Sequence, residues 1–147
     1  MPQNLRTNIL MNSRIYISEV DAKRIKALVD LAPRVDARER GYLAKLEEEL
    51  NRAKIVPHAK LPEDVISVNS EVELEDLEDN SILRYILVFP EEADAAEGKI
   101  SIIAPLGTGM LGYRTGDIFE WETPGGKMRL KVLKVTHRTP APLGGII

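Results

Sequence analysis

Three carboxylates lie close together between two stretches of helical spacing: Asp30, Asp36 and Glu39. Carboxylate oxygens are ligands that divalent cations prefer, so this group could help to hold a metal ion in the active site of a partner. The same residues have a simpler role, because Asp36 followed by Glu39 matches the pattern of a helix N-terminus. Arg34 and Arg38 would also offset the negative charge. We therefore favour helix capping over metal binding.

The other residue types that could carry chemistry form no catalytic motif. The chain has two histidines and no cysteine, which excludes disulfides, Cys-ligated zinc and thiol chemistry. His58 and His137 lack metal-ligand spacing, so we expect ordinary surface or connector histidines. No serine has a Gly-x-Ser-x-Gly context. The segment Gly107-Thr108-Gly109 lacks the rest of a phosphate-binding loop, and a short helix packed closely on a sheet explains it better. We expect no catalytic residue, cofactor or bound metal.

Charge is unevenly distributed along the chain. The first 57 residues hold 11 Lys+Arg against 8 Asp+Glu, whereas the remaining residues hold 9 against 15. Because nucleic-acid affinity comes mainly from Lys and Arg that neutralise phosphates, the acidic larger part predicts no strong direct nucleic-acid binding. No apolar run approaches the ~18 residues of a membrane span, and the N-terminus lacks a signal-peptide pattern. These features predict a cytoplasmic protein without membrane contact.

A predicted antiparallel helical hairpin over residues 15–56 would position the carboxylates. The first helix begins at Ser18 and ends at Pro33, since the residue before a proline is pushed out of the helical region. The second begins at Asp36. Its apolar stripe, spaced as in a coiled coil, consists of Leu43, Leu46, Leu50 and Ala53. Helices of about 14 and about 18 residues would be about 20 and 27 Å long. Such narrow stripes bury little surface, so the base of the hairpin must rest on another part of the chain.

The hydrophobic period changes after a linker with two prolines at residues 57–64, and a second domain is expected at residues 65–138. Strands are predicted at residues 71–75, 82–89, 99–103, 117–122 and 128–135. The segment 82–89 is nearly all apolar, so we expect it at the centre of the sheet. The pair Val132-Leu133 breaks the alternation and indicates a β-bulge.

One short helix is predicted inside this domain, at residues 105–112, because a proline stands in its first turn and a glycine at its end. Residues 1–14 and 139–147 show no period and are expected to be flexible. The predicted fold class is therefore α+β, with a helical hairpin attached to a small antiparallel β domain that contains one short helix.

The order of segments in the second domain resembles a known family. The segments are Tyr85-Ile86-Leu87-Val88, Gly98-Lys99-Ile100-Ser101, Ala104-Pro105-Leu106-Gly107 and Thr123-Pro124-Gly125-Gly126. Together they are similar to the C-terminal domain of the Gre-type bacterial transcription elongation factors. The resemblance implies an FKBP-like fold for this domain. It also implies a partner, the core RNA polymerase, whose secondary channel receives the hairpin of these factors while the C-terminal domain docks at the rim.

The N-terminal part departs from the transcript-cleaving members of this family. Their hairpin is much longer and its tip has the form Gly-Asp-Leu-x-Glu-Asn-Ala-Glu-Tyr, which is absent here. A short hairpin with a proline-containing linker, together with Leu61-Pro62-Glu63-Asp64-Val65 and Val68-Asn69-Ser70, is similar to the Rnk-type members, named for regulation of nucleoside diphosphate kinase. The resemblance implies a non-catalytic polymerase-binding protein that competes with Gre factors. We expect a monomer.

Carried over position by position, the resemblance implies a set of polymerase contacts in the C-terminal domain. These are Glu92, Asp94, Ser101, Pro105 and Leu106. In the hairpin the corresponding tip candidates are Asp30, Asp36 and Glu39. They do not match the family's tip motif, so the resemblance makes them possible contacts and not metal ligands.

Three other functions are alternatives to polymerase binding without catalysis. The enzymatic alternative is a transcript-cleavage factor in which the tip carboxylates support the partner's metal. A peptidyl-prolyl isomerase is suggested by the FKBP-like fold alone, and fold does not imply function. With seven scattered aromatic residues in the chain, an aromatic-lined cleft is hard to assemble. Direct control of a kinase has no sequence feature for or against it.

Overall fold

The computed structural model describes residues 15–123 and 125–138. It is an α+β protein in which two N-terminal helices precede a five-stranded sheet and a short third helix. The elements in chain order are β1 (Tyr16–Ser18), α1 (Glu19–Val29), α2 (Ala37–Arg52), β2 (Lys54–Val56), β3 (Ser70–Asp76), β4 (Ile82–Val88), β5 (Lys99–Ser101), α3 (Pro105–Met110), β6 (Ile118–Thr123) and β7 (Gly126–His137). None of the described helices is long and apolar enough to cross a membrane. The predicted flexible ends, residues 1–14 and 139–147, lie outside the described part.

The two N-terminal helices, hereafter the helix pair, are shorter than predicted. Helix α1 has 11 residues and α2 has 16, which corresponds to about 17 and 24 Å. Helix α1 ends at Val29 and not at Pro33, because the chain tightens into i→i+3 hydrogen bonds before the proline: the Leu31 amide donates to the Leu28 carbonyl oxygen at 3.0 Å. Pro33 lies in a separate 3₁₀ turn, Ala32–Arg34.

Side-chain caps define the starts of both helices, as the sequence predicts. Ser18 Oγ accepts a hydrogen bond from the Asp21 amide at 3.1 Å, and Asp36 Oδ1 accepts one from the Glu39 amide at 2.9 Å. Each bond satisfies an amide that lacks a partner within the helix. At α1 the capping box is incomplete, because the Asp21 carboxylate bonds to a distant amide instead of returning to the cap.

A two-stranded parallel sheet that the sequence analysis missed closes the helix pair. Strands β1 and β2 pair with Tyr16 opposite Lys54 and Ser18 opposite Val56, and the Lys54 amide donates to the Ile15 carbonyl oxygen at 2.9 Å. Both strands have three residues, too few to show a period of two. The pairing brings the entry to α1 and the exit from α2 together at one end.

The large sheet has the strand order β5-β4-β3-β7-β6, so its centre is β3 and not the apolar β4 as predicted. Strand β3 alternates between buried Val72 and Leu74 and a row of glutamates. A glutamate row is tolerated at the centre because neighbouring strands supply cations: Glu73 lies opposite both Arg84 and Lys134. Cross-strand pairs of opposite charge stabilise a sheet.

One strand pair of the large sheet is parallel, which corrects the expectation of a fully antiparallel domain. Strand β5 runs parallel to β4 after a connection through two 3₁₀ turns, Pro90–Glu92 and Ala95–Glu97. The predicted bulge is confirmed, since Glu73 pairs with Lys134 whereas Leu74 pairs with Val132, which leaves Leu133 as the extra residue.

The short helix α3 has Pro105 at its first position, as predicted. It packs so closely on β5 that a Cβ at Gly107 would overlap the Ser101 carbonyl oxygen. This close approach confirms that packing, and not a phosphate loop, explains the glycine-rich segment.

The helix pair and the sheet share one cluster of buried apolar side chains. The helix pair and β1 contribute Ile15, Ile17, Ile25, Val29 and Leu46, and the sheet and α3 contribute, among others, Val72, Leu74, Leu87, Met110, Leu111 and Leu130. The base of the helix pair therefore rests on the sheet, as its narrow apolar stripes required. We use "base" for β1, β2, these buried residues, Asp21 and Arg52, and "tip" for residues 30–40.

Candidate functional site

Two of the three tip carboxylates, those of Asp30 and Asp36, make local contacts within the helix pair, and Glu39 is exposed. Asp30 follows the last residue of α1 and accepts a hydrogen bond from Lys26 Nζ at 3.2 Å, with both side chains well exposed. Asp36 caps α2 through the Glu39 amide. The capping interpretation of Asp36 is thereby confirmed. No group of three or more potential metal ligands converges within residues 15–123 and 125–138.

The tip also has features that the sequence analysis did not single out. Leu31 is 44% exposed although it is a large apolar residue, and Arg34 is exposed beside it. Arg38 donates from Nε to the Tyr42 hydroxyl at 3.0 Å. An apolar residue followed by Pro and Arg in a turn is the signal that could have revealed this surface.

Arg24 connects the helix pair with the loop after β4 through two contacts. Its guanidinium lies 3.7 Å from the centre of the Phe89 ring and donates to Glu91 Oε2 at 2.8 Å. A guanidinium over an aromatic face is attractive because the ring face carries negative charge. The acidic loop that holds the candidate Glu92 is therefore adjacent to α1.

Arg52 makes a second connection, between the end of α2 and the segment after α3. It donates to the Tyr113 hydroxyl at 3.2 Å and pairs with Glu49 Oε1 at 2.9 Å. Burial raises the pKa of Tyr113, and the charge of Arg52 opposes that rise. The phenol is neutral at physiological pH, so it serves as a hydrogen-bonding and stacking group against Phe119.

Asp21 makes a third connection, from α1 to the segment before β3. Its Oδ2 accepts a hydrogen bond from the Val68 amide at 3.1 Å. Burial raises the pKa of this carboxyl, whereas the Val68 amide and the nearby His58 act to lower it. Sequence reasoning recognised Asp21 only as part of a helix cap, since its partner lies 47 positions away.

The C-terminal candidates divide into exposed and buried residues. Glu92 and Asp94 are exposed in the loop between β4 and β5, where Asp94 Oδ1 accepts from the Ala96 amide at 3.1 Å. Ser101 is half-buried at the end of β5, and Pro105 is exposed at the start of α3. Leu106 is only 3% exposed and belongs to the core. The resemblance places Leu106 among the polymerase-contact candidates, whereas its side chain packs in the core beneath α3 and is not presented at the surface.

Two family models match the chain. The model "Transcription elongation factor, GreA/GreB, C-term" matches residues 61–137, and the model "Rnk N-terminus" matches residues 13–56. The first covers the sheet and α3 together with the segment before β3. The second covers the helix pair with β1 and β2.

Individual relatives agree with both matches. The regulator of nucleoside diphosphate kinase of Escherichia coli is 33% identical over 133 residues, covering 86% of this chain and 92% of its own. A transcription elongation factor GreA of Clostridium botulinum is 38% identical over 97 residues, covering 66% of this chain and 61% of its own. The solved structure of a prokaryotic transcription elongation factor GreA/GreB from Nitrosomonas europaea superposes with a TM-score of 0.69 at 34% identity, covering 84% of this chain and 98% of that one.

Proposed function

Because the chain belongs to the family of GreA/GreB transcription elongation factors and carries an Rnk-type N-terminus, we propose that it is a regulator that binds RNA polymerase without catalysing a reaction itself. In this proposal the sheet and α3 form the FKBP-like domain of the Gre factors. The helix pair acts as a short antiparallel coiled coil. The protein acts in the cytoplasm as a monomer and takes no cofactor.

The observation that carries this proposal is the combination of a Gre-type C-terminal domain with a short helix pair. The sheet domain docks at the rim of the secondary channel, with Glu92, Asp94, Ser101 and Pro105 as contact candidates. The helix pair enters the channel and excludes Gre factors from it. Docked interfaces of this transient kind depend on a few central contacts.

The length of the helix pair supports a blocking role over a cleaving one. Helix α2 has 16 residues and measures about 24 Å, so the tip extends only a short distance beyond the base. Metal-assisted chemistry requires its groups to be held within about 0.5 Å of the productive position. Moreover, Asp36 is already used as a helix cap and Asp30 is paired with Lys26.

Competition for core RNA polymerase tests the proposal directly. Labelled protein should bind the core enzyme at micromolar concentration, and an unlabelled Gre factor should displace it completely. Complete displacement indicates that the two proteins bind overlapping sites on the polymerase. Partial displacement would indicate that they bind separate sites. Absence of binding at micromolar concentrations would remove the proposal. If the protein regulates RNA polymerase, an effect on nucleoside diphosphate kinase, as the name of the Escherichia coli relative describes, would follow from altered transcription.

A second candidate function is transcript cleavage, because Asp36 and Glu39 lie within one turn at the tip. A cleavage assay on stalled elongation complexes separates the two functions. Asp36→Asn keeps the cap, since Asn and Asp cap helices equally well, but removes the charged carboxylate. We expect no RNA shortening with the unmodified protein. Shortening that Asp36→Asn abolishes, in a protein that remains folded, would establish the cleavage function instead.

A further inference from the structure

Both histidines of the chain, which the sequence analysis treated as unrelated, line one pocket of about 450 Å³ at the junction of the helix pair and the sheet. His58 comes from the 3₁₀ turn after β2, and His137 is the last residue of β7. Arg138 and the start of α1 also line the pocket. This volume lies within the range of small-molecule sites, and none of the groups has a role in the function proposed above.

Hydrogen bonds hold the walls of the pocket in place. Asp21 Oδ2 binds the Val68 amide at 3.1 Å, which joins α1 to the segment before β3. Asn69 adopts the left-handed conformation with φ of 75°. Its Nδ2 donates to the Arg138 carbonyl oxygen at 3.2 Å, and its own carbonyl oxygen accepts from the Arg138 amide at 3.2 Å. Asparagine adopts this conformation more readily than other non-glycine residues.

The pattern of hydrogen bonds leaves donors available to a ligand. His137 Nε2 lies 2.6 Å from the Val65 carbonyl oxygen, and a carbonyl can only accept, so Nε2 carries a hydrogen and Nδ1 remains for a ligand. In a ring that carries hydrogens on both nitrogens, Nδ1 also donates. Ser18 is 2% exposed, and its Oγ accepts from the Asp21 amide. Its O–H hydrogen has no acceptor among the described residues.

The nitrogen-bearing side chains that line the pocket favour an anion over a cation. His58, His137 and Arg138 face one carboxylate, that of Asp21, which already accepts from the Val68 amide. In the described ranges the Arg138 guanidinium forms no ion pair, and no set of three metal ligands converges. Donors that approach from different segments match the several oxygens of a tetrahedral oxyanion better than the two of a carboxylate.

We propose that this pocket binds a phosphate group, either as free phosphate or as the phosphate of a small monoester. Arg138 and the two imidazoles contact the phosphate oxygens, and the Ser18 hydroxyl donates from the N-terminal end of α1. Asp21 forms the wall behind them.

The two imidazoles allow a direct test, because a histidine side-chain NMR spectrum of the full chain contains signals from only these rings. Titration with inorganic phosphate at constant ionic strength should shift both sets of signals and reach saturation. Sodium chloride should not reproduce the shifts. A parallel titration with ribose 5-phosphate distinguishes the two sources, since tighter binding of the ester identifies a monoester and equal binding identifies free phosphate.

Arg138→Gln and His58→Gln change exposed side chains and should leave the backbone amide spectrum otherwise intact. Each should weaken phosphate binding about tenfold or more, because a charge-assisted hydrogen bond is lost. Arg34→Gln at the tip is the matched control and should bind as the unmodified protein does. Shifts that chloride reproduces, or that remain unchanged in both pocket variants, would overturn the proposal.

Discussion

The tip and the base of the helix pair are built in opposite ways. At the tip, contacts are local: Asp36 caps its own helix and Asp30 pairs within its own turn. At the base, contacts connect distant segments, as between Asp21 and Val68 or between Arg52 and Tyr113. The base therefore determines how the helix pair is held on the sheet, whereas the tip contacts stay within the helix pair.

A pair of leucines provides the largest expected contrast between the two ends. Leu46 is fully buried in the shared core, whereas Leu31 is 44% exposed at the tip. Leu46→Ala should lower the free energy of unfolding by about 2–5 kcal/mol because it leaves a cavity. Leu31→Ala should change it by less than about 0.5 kcal/mol. Urea unfolding followed by the fluorescence of Trp121 measures both, and similar losses would contradict the comparison.

Two glycines in the segment after α3 test how closely this segment packs against the base of the helix pair. Gly112 and Gly116 both have positive φ, but a Cβ at Gly112 would lie 2.6 Å from Ile15 Cβ, whereas a Cβ at Gly116 meets nothing within 4 Å. Each Gly→Ala change carries the backbone strain of the left-handed region. Gly112→Ala should be worse by about 1–3 kcal/mol because of the added overlap. Thermal unfolding of the two variants gives this difference, and equal melting temperatures would show that the contact with Ile15 is loose.

The cap at the tip has a smaller expected effect. Asp36→Ala should lower the free energy of unfolding by about 1 kcal/mol, because the Glu39 amide loses its acceptor. Asp36→Asn keeps an acceptor and should stay within about 0.5 kcal/mol of the unmodified protein. Helix content by circular dichroism and urea unfolding report the two changes. Equal losses in both variants would indicate that the charge, and not the cap, is what matters.

The smallest expected effect is a pH dependence at the base. Burial raises the pKa of Asp21 above its ordinary value, so the folded state binds this proton more tightly than the unfolded state does. The resulting contribution to stability is present below the unfolded pKa and is lost as the pH rises through the folded pKa.

Asp21→Asn, which keeps an acceptor oxygen for the Val68 amide, should remove this pH dependence. Urea unfolding of the two proteins at pH 3 and pH 7 measures it. Relative to the unmodified protein, the variant should gain stability at pH 7 compared with pH 3. A difference between the two proteins that does not change with pH would show that ionisation of Asp21 is not linked to folding.

Features that depend on neighbouring residues in the chain were predictable. Asp36 caps α2, Pro105 begins α3, and Leu133 forms the bulge, each because a local backbone preference decides the outcome. The resemblance of residues in the second domain to the Gre-type factors was also readable in the sequence, and the family models match the chain accordingly.

Features that depend on distant partners were not predictable. The acidic β3 is accommodated at the centre because Arg84 and Lys134 lie opposite Glu73, and Leu106 is buried because α3 packs onto β5.

By itself, the sequence determined the helix caps, the turns and the alternation of the strands, because these are properties of a few adjacent residues. The tertiary structure decides the order of the strands, the parallel pairing of β1 with β2 and the placement of His58 and His137 in one pocket. The physical reason is that burial and charge pairing are set by which segments the fold places side by side, and no local period records that choice.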